Sequence, residues 1–299
     1  MHDVSLASLS TFGIGGLASM YVAVRNPKEL EDVVLWAKSE KLPFQLVAGG
    51  SNIVFPDEGL QCLVIHNHGE SLSQHDNVLI VDSGVELSNV ISFCITRGFS
   101  GVEYLSGIPG TIGGAVVGNA GAYGHAISEV VEYVEVLNGK KIEKINNQLC
   151  GFRYRESIFK RKSFVLLRIC IRLTQGVKKD LRKVSSDVIK QRETKYHPGI
   201  RCPGSFFKNV LEIDISKNSL SRIDQNVIIA GKIPAGFLLG EVGARGMKIG
   251  GIKIADYHGN LFVNTGSGTA KDVKKLAQIL KKRVLEKFHI QLEEEIRYF

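Results

Sequence analysis

Two glycine-rich segments carry the residues best suited to holding a ligand. The first, Gly49-Gly50-Ser51-Asn52, follows the apolar run 44–48 and offers backbone N–H groups, a hydroxyl and an amide in succession. The second, 101–124, holds eight glycines in twenty-four residues and almost no charge. Glycine costs conformational entropy and is used where the backbone takes positive φ or approaches another group closely. Such a run reads as neither helix nor ordinary strand, and its bare N–H groups suit an anion such as a pyrophosphate. A tight array of β-turns or a buried glycine-rich crossover would use the same residues. Two such loops in one chain suggest one extended ligand held from two sides. Neither is a G-x-G-x-x-G opening a helix after a strand, and no G-x-x-x-x-G-K-[ST] occurs, which argues against Rossmann and P-loop folds.

The elements that position these loops follow from periodicity. Residues 20–25 alternate like a strand, and Asn26-Pro27 caps a helix whose Leu30, Val33, Val34 and Ala37 recur at helical spacing through Lys38. Strands are expected at 44–48 and 62–65, making a small α/β unit. A strand at 78–81 precedes a helix marked by Leu87, Val90, Ile91 and Cys94, which Gly98 ends in left-handed geometry. Long strands follow at 130–137 and 164–173, the second with Arg168 and Arg172 on one side. Residues 175–183 read as a polar, basic linker. A helix capped by Asp180 comes next, with Leu181, Val184 and Val188 along one face. Further on, a short helix at 233–239 is stopped by Gly240 and Gly243. Residues 249–254 and 261–264 form a strand pair, Thr269 caps a last helix, and the chain ends on a strand at 295–299.

Bulk properties narrow the function class. At 299 residues and 44% hydrophobic, the chain can bury substantial cores. Lysine and arginine exceed the acidic residues, 38 against 30, and the isoelectric point is about 9.2. The densest basic runs lie at 178–183 and on the last helix, where lysines alternate with an apolar stripe as on a solvated helix face. Aromatic residues are not interleaved with these charges, so no nucleic-acid groove is expected. The five cysteines form no C-x-x-C pair and read as buried small hydrophobes. His66, His68 and His75 fall in a polar connection without a matched carboxylate or cysteine; they read as solvated loop residues, and no metal site is expected. The first sixteen residues lack the basic and apolar regions of a secretory signal, and no apolar run is long enough to span a bilayer, so a cytoplasmic protein without membrane insertion is expected.

The segments VAGGSNIVFPDEG (47–59) and GIPGTIGGAVVGNAGAYG (107–124) resemble the two FAD-contacting loops of the UDP-N-acetylenolpyruvoylglucosamine reductase family. The likeness continues in order. Residues 10–16 resemble its Thr-Phe-x-x-Gly-Gly start, 150–157 its Tyr-Arg-x-Ser element, 203–209 its Gly-Ser-x-Phe-Lys-Asn element, and 292–297 its Leu-Glu-x-Glu-Val-Arg terminus. Val210 and Glu294 stand where the family commonly has proline, which bears on loop shape more than on chemistry. The interval from Arg155 to Ser205 is short, so the chain resembles the branch without the substrate-covering insertion.

The resemblance implies an α+β, three-domain flavoprotein. Two small α/β domains of the vanillyl-alcohol-oxidase-like FAD-binding type span 1–65 and 66–178, and an α+β substrate domain spans 179–299, with the last strand able to pack on an earlier domain. It implies non-covalent FAD, there being no histidine in the first glycine loop, with Gly49, Gly50, Ser51, Asn52, Gly107, Pro109, Gly110, Thr111, Gly113, Gly114, Asn119 and Gly121 as cofactor contacts. The implied activity is that of a UDP-N-acetylmuramate dehydrogenase, acting as a monomer in peptidoglycan precursor synthesis, and so in cell wall biogenesis, cell shape and division. NADPH reduces the flavin, hydride passes to the β-carbon of UDP-N-acetylglucosamine enolpyruvate, and a proton must then reach the α-carbon.

Residue by residue, the resemblance assigns Arg155 to the substrate carboxylate, which a guanidinium can hold bidentately. An exposed strand-edge ion pair is the plainer use of such a residue. Ser205 is the implied proton donor, although a serine after Pro203-Gly204 commonly makes a turn bond. Glu295 would act with Arg155 on the carboxylate or enolate, and a carboxyl there is useful when its pKa is raised so that it donates a hydrogen bond. Glu293 shares its strand face and is the alternative. Lys208 and Asn209 are implied contacts to the uridine diphosphate, and Arg297 could meet a diphosphate or carboxylate. Tyr154 is implied beside the substrate, with packing as the plainer role. Another non-covalent FAD oxidoreductase of the same fold, or a nucleotide-binding module without catalysis, are the competing readings.

Overall fold

The first helix begins where its capping residues place it. In the computed structural model, which describes residues 3–299, the Asn26 side chain accepts the Glu29 N–H and Pro27 opens α1 (Pro27–Ser39). The helix buries Leu30, Val34 and Ala37 against a sheet in which strand Leu60–Asn67 lies between Leu17–Val24 and the parallel strand Phe44–Val47. The same cluster takes in Leu137, Val165 and Leu167 of a second sheet.

That second sheet is five-stranded and antiparallel, ordered Lys141–Asn146, Val131–Asn138, Val165–Arg172, Val78–Asp82 and Leu72–His75. Its outer two strands went unread in the sequence because their side chains are mostly polar and exposed, leaving no apolar alternation to see. Arg168 and Arg172 share a face as expected: Arg168 pairs with Glu135 at 2.7 Å and Arg172 with Glu132 at 2.8 Å. Helix α2 (Leu87–Arg97) ends at Gly98 with φ 82°, as its glycine predicts. Together with α3 (Ile112–Gly118) and α4 (Lys178–Glu193), it covers the core around Leu79, Ile169 and Ile171.

Four local expectations are corrected. The glycine run reads as non-helical in sequence, yet Ile112–Gly118 is helix: Thr111 caps it and Ile112, Ala115 and Val116 bury into the core, which outweighs the glycine penalty. The supposed linker at 175–183 is largely helix, because α4 starts at Lys178 to seat Leu181, while Gln175 pairs with Phe99 in a short ladder. Asp180 stands in the first turn of α4 and is not its cap. Residues 249–254 are not one strand but the hairpin Lys248–Ile249 and Ile252–Ile254, continued by Phe262–Asn264 as a three-stranded meander.

Two compact units result. One comprises 3–4, 18–50 and 61–194; the other comprises 5–17, 51–60 and 195–299. The second unit adds α5 (Lys217–Leu220), α6 (Ala235–Glu241) and α7 (Ala270–Phe288). Thr269 and Asp272 form a capping box on α7, and Asp57 accepts the Ala270 and Lys271 N–H groups at 2.7 and 3.1 Å. Val273, Leu276, Leu280 and Val284 of α7 face a core centred on Phe206, Phe207 and Phe262. The terminal strand Arg297–Tyr298 pairs in parallel with Ile53–Val54. No helix among the described residues is long and apolar enough to cross a membrane.

Candidate active site

In the first unit the two glycine loops meet. A Cβ on Gly49 would lie 2.5 Å from the Gly110 Cα, so the two backbones come this close only because Gly49 carries no side chain. Around that contact Gly107, Pro109 and Gly114 are exposed while Thr111 and Gly113 are buried. Thr111 accepts the Gly114 N–H at 3.3 Å, and Gly113 donates to the Ser83 carbonyl at 3.0 Å, which seats the start of α3 against the end of strand Val78–Asp82. The result is a surface of bare backbone, open beside Gly118 and Gly124 where a side chain would meet nothing. It fits the pyrophosphate and adjoining parts of a dinucleotide such as FAD. Gly121 is half-buried and pairs with Ala126.

The far end of α3 holds the element that carries Arg155. The Asn119 amide donates to the Arg153 carbonyl at 2.9 Å, and its side-chain oxygen accepts the Ser128 N–H at 3.3 Å. The buried Ser157 hydroxyl donates to the Val117 carbonyl at 2.7 Å. Between these anchors Arg153 and Glu156 exchange two backbone hydrogen bonds of 3.1 Å, leaving Tyr154 and Arg155 at the tip of a tight turn. Arg155 has φ 53°, a left-handed conformation that costs a non-glycine residue of order 1 kcal/mol or more. Lys160 donates to its carbonyl at 2.7 Å, and its guanidinium lies 5.6 Å from the Tyr154 ring centre. Sequence reasoning missed Ser157 as an anchor and Arg192 of α4, whose side chain lies against Gly107; no spacing signal marks either.

The second unit assembles the other candidates. Ser205 lies beside Phe206 and Phe207, and the buried Asn260 clamps this segment by accepting the Phe207 N–H and donating to its carbonyl, both at 2.8 Å. The Ser205 and Tyr196 hydroxyls are 2.8 Å apart. Residues 293–295 run antiparallel to this segment: Lys208 donates to the Glu293 carbonyl at 2.9 Å, and Glu295 to the Phe206 carbonyl at 2.8 Å. The three glutamates thereby separate. Glu293 is exposed and ion-paired with Lys208, Glu294 pairs with Lys281 at 3.3 Å, and Glu295 is half-buried. Asn52 donates to the Glu295 carbonyl at 3.0 Å and accepts the Arg297 N–H at 3.0 Å, so part of the first glycine motif braces the terminal one. Ser51 is half-buried in this same unit. Asn209 accepts the Ala235 N–H at 3.1 Å, and Arg297 is exposed.

The histidine expectation is corrected in part. His66 is not a loop residue but lies on strand Leu60–Asn67, where its Nδ1 is 2.9 Å from both the Tyr21 hydroxyl and His68 Nε2. Burial, with His68 beside it, holds the His66 imidazole down at about 4. His75 ends strand Leu72–His75. No group of three or more His, Cys, Asp or Glu among the described residues could hold a metal ion. All five cysteines are free and buried, with burial pushing Cys94 up to about 12 and Cys150 to about 11.

Two protein families match separate parts of the chain. Residues 18–141 match the FAD binding domain family, and residues 195–299 match the UDP-N-acetylenolpyruvoylglucosamine reductase C-terminal domain family. The UDP-N-acetylenolpyruvoylglucosamine reductase of Solibacter usitatus is 38% identical over 294 residues, covering 98% of this chain and 94% of that protein. That of Alkaliphilus oremlandii is 30% identical, covering 99% and 91%. The crystal structure of the Thermus caldophilus reductase superposes with a TM-score of 0.79 at 28% identity, covering 100% of this chain and 98% of that one. The chain thus belongs to the UDP-N-acetylenolpyruvoylglucosamine reductase family.

Proposed function

We propose that this protein reduces the enolpyruvyl ether of UDP-N-acetylglucosamine enolpyruvate to the lactyl ether of UDP-N-acetylmuramate, using FAD and NADPH. The observation that carries this reading is the presence, in one chain, of an FAD-binding segment at 18–141 and the reductase's own C-terminal domain at 195–299. Bound FAD supplies the electron pair, taken from NADPH. The chain's side chains supply the rest.

Arg155 is assigned to the substrate carboxylate, where a guanidinium stays charged as negative charge grows on the enolate. Its left-handed turn supports this role, since strained backbone is retained where a side chain must be aimed. Ser205 gives its proton to the α-carbon, and Glu295 acts with Arg155 on the substrate carboxylate or the developing enolate. The engagement of Glu293 with Lys208 supports Glu295 over Glu293. Gly49, Gly50, Gly107, Pro109, Gly110, Thr111, Gly113, Gly114 and Gly121 line the cofactor, with Ser51 and Asn52 continuing the first loop. Asn119, which also braces the turn carrying Arg155, is assigned to the cofactor as well. Tyr154, Lys208, Asn209 and Arg297 are assigned to the substrate. The division into FAD-binding domains at 1–65 and 66–178 and a substrate domain at 179–299, a monomeric state, and a cytoplasmic role in cell wall biogenesis, cell shape and division belong to the same proposal.

The test is product analysis in deuterated water. NADPH oxidation should match formation of UDP-N-acetylmuramate carrying deuterium at the α-carbon. NADPH oxidation without that product would overturn the reading.

A further inference from the structure

We propose that Tyr196 is a positioning residue for Ser205 and the source from which its hydroxyl is reprotonated. The inference rests on Ser205 as the proton donor to substrate. Proton delivery from a serine sets two requirements. The hydroxyl hydrogen must be free to point at the substrate carbon, so the oxygen should accept its other hydrogen bond. The negative charge developing on that oxygen also needs a donor already in place. A phenol meets both, being a far stronger acid than an aliphatic alcohol.

The geometry is built for such a pair. The two hydroxyls are 2.8 Å apart, and each is anchored on the same short stretch. Tyr196 packs against Cys202, Ala255 and Leu261, while Ser205 forms a backbone bridge with Leu261. The segment carrying Tyr196 is fixed from outside: His197 stacks on Tyr257 with ring centres 4.7 Å apart, and the Tyr257 hydroxyl donates to the Lys195 carbonyl at 3.2 Å. The Ser205 side is fixed by Asn260. Tyr196 is half-buried rather than sealed in the core.

The balance of the step is simple. The Ser205 O–H bond breaks as the C–H bond forms at the α-carbon. The electron pair left on the serine oxygen takes the Tyr196 phenolic proton, and the tyrosinate recovers a proton from water.

Tyr196→Phe should leave flavin reduction by NADPH unchanged and slow reoxidation by substrate about 10- to 100-fold, as loss of one hydrogen bond to a charged oxygen implies. Fluorotyrosines of graded acidity at position 196 should change the reoxidation rate and its solvent isotope effect in step with phenol acidity. A packing role would leave both flat. Independently of turnover, the ¹⁹F resonance of 3-fluorotyrosine at 196 should move on Ser205→Ala. Normal reoxidation in Tyr196→Phe, or a resonance indifferent to Ser205, would overturn the pairing. Normal reoxidation in Ser205→Ala would instead overturn the assignment of Ser205 itself.

Discussion

The side-chain amide of Asn119 donates to the Arg153 carbonyl at 2.9 Å, tying the end of a helix in the glycine loop to the turn that carries Arg155. Asn119 itself has φ 42° and closes α3 in left-handed geometry, so one residue ends the helix and sets the turn. Asn119→Gly keeps that backbone freedom and removes only the side-chain bonds. It should cost about 1–3 kcal/mol, the range for stranding buried polar groups, and lower kcat through a displaced Arg155. Thermal unfolding and steady-state kinetics measure the two effects. Full stability with full activity would show that the strut does no positioning.

Arg155 gives the opposite pattern. Because it sits at φ 53°, Arg155→Gly should hold or raise stability, by up to about 1 kcal/mol, while reduction of substrate falls by orders of magnitude. Arg155→Lys keeps the strain and the charge but loses the planar fork, so it should recover little activity. A fall in melting temperature for Arg155→Gly would contradict the strained-turn interpretation.

Gly49→Ala tests the cofactor cradle. The new Cβ would lie 2.5 Å from the Gly110 Cα, so the loops must part. The purified protein should lose most of its flavin and fail to recover it when FAD is added back. Visible absorption of the purified protein reports this directly, and full flavin occupancy would show that the contact is not needed.

His66 gives a pH signature. Its pKa in the folded protein, about 4, lies below the ordinary 6.5, so the unfolded chain binds more protons between those values. Stability from this site is therefore complete above pH 6.5 and is lost as pH falls toward 4. His66→Asn should flatten the slope of unfolding free energy with pH in that window relative to the parent protein; parallel slopes would remove His66 as the cause.

How much of this was legible in the sequence depends on whether the signal was local. The caps at Asn26 and Thr269, the left-handed stop at Gly98 and the apolar stripe of α7 are written within a turn or two of chain, and each forms as read. The glycine loops were also legible as places of close approach, and Gly49 against Gly110 is such an approach. The helix inside the second loop was not, because burial of Ile112 and Val116 overrides a glycine-poor propensity rule that sees only neighbours. The supports of the candidate site were invisible for a related reason. Asn119 reaches thirty-four residues along the chain to Arg153, and Asn260 reaches fifty-three back to Phe207. No periodicity records such pairs.

The most direct measurement is an anaerobic visible absorption trace of the purified protein, with NADPH added first and UDP-N-acetylglucosamine enolpyruvate second. The flavin band should bleach on NADPH and return on substrate in the parent protein. In Ser205→Ala the bleaching should persist, and the return should slow by about 10²–10⁴-fold, the usual worth of a general acid. Bleaching that substrate does not reverse in the parent protein would contradict the assigned reaction, and a protein that takes up no FAD would contradict the cofactor site from Gly49 onward.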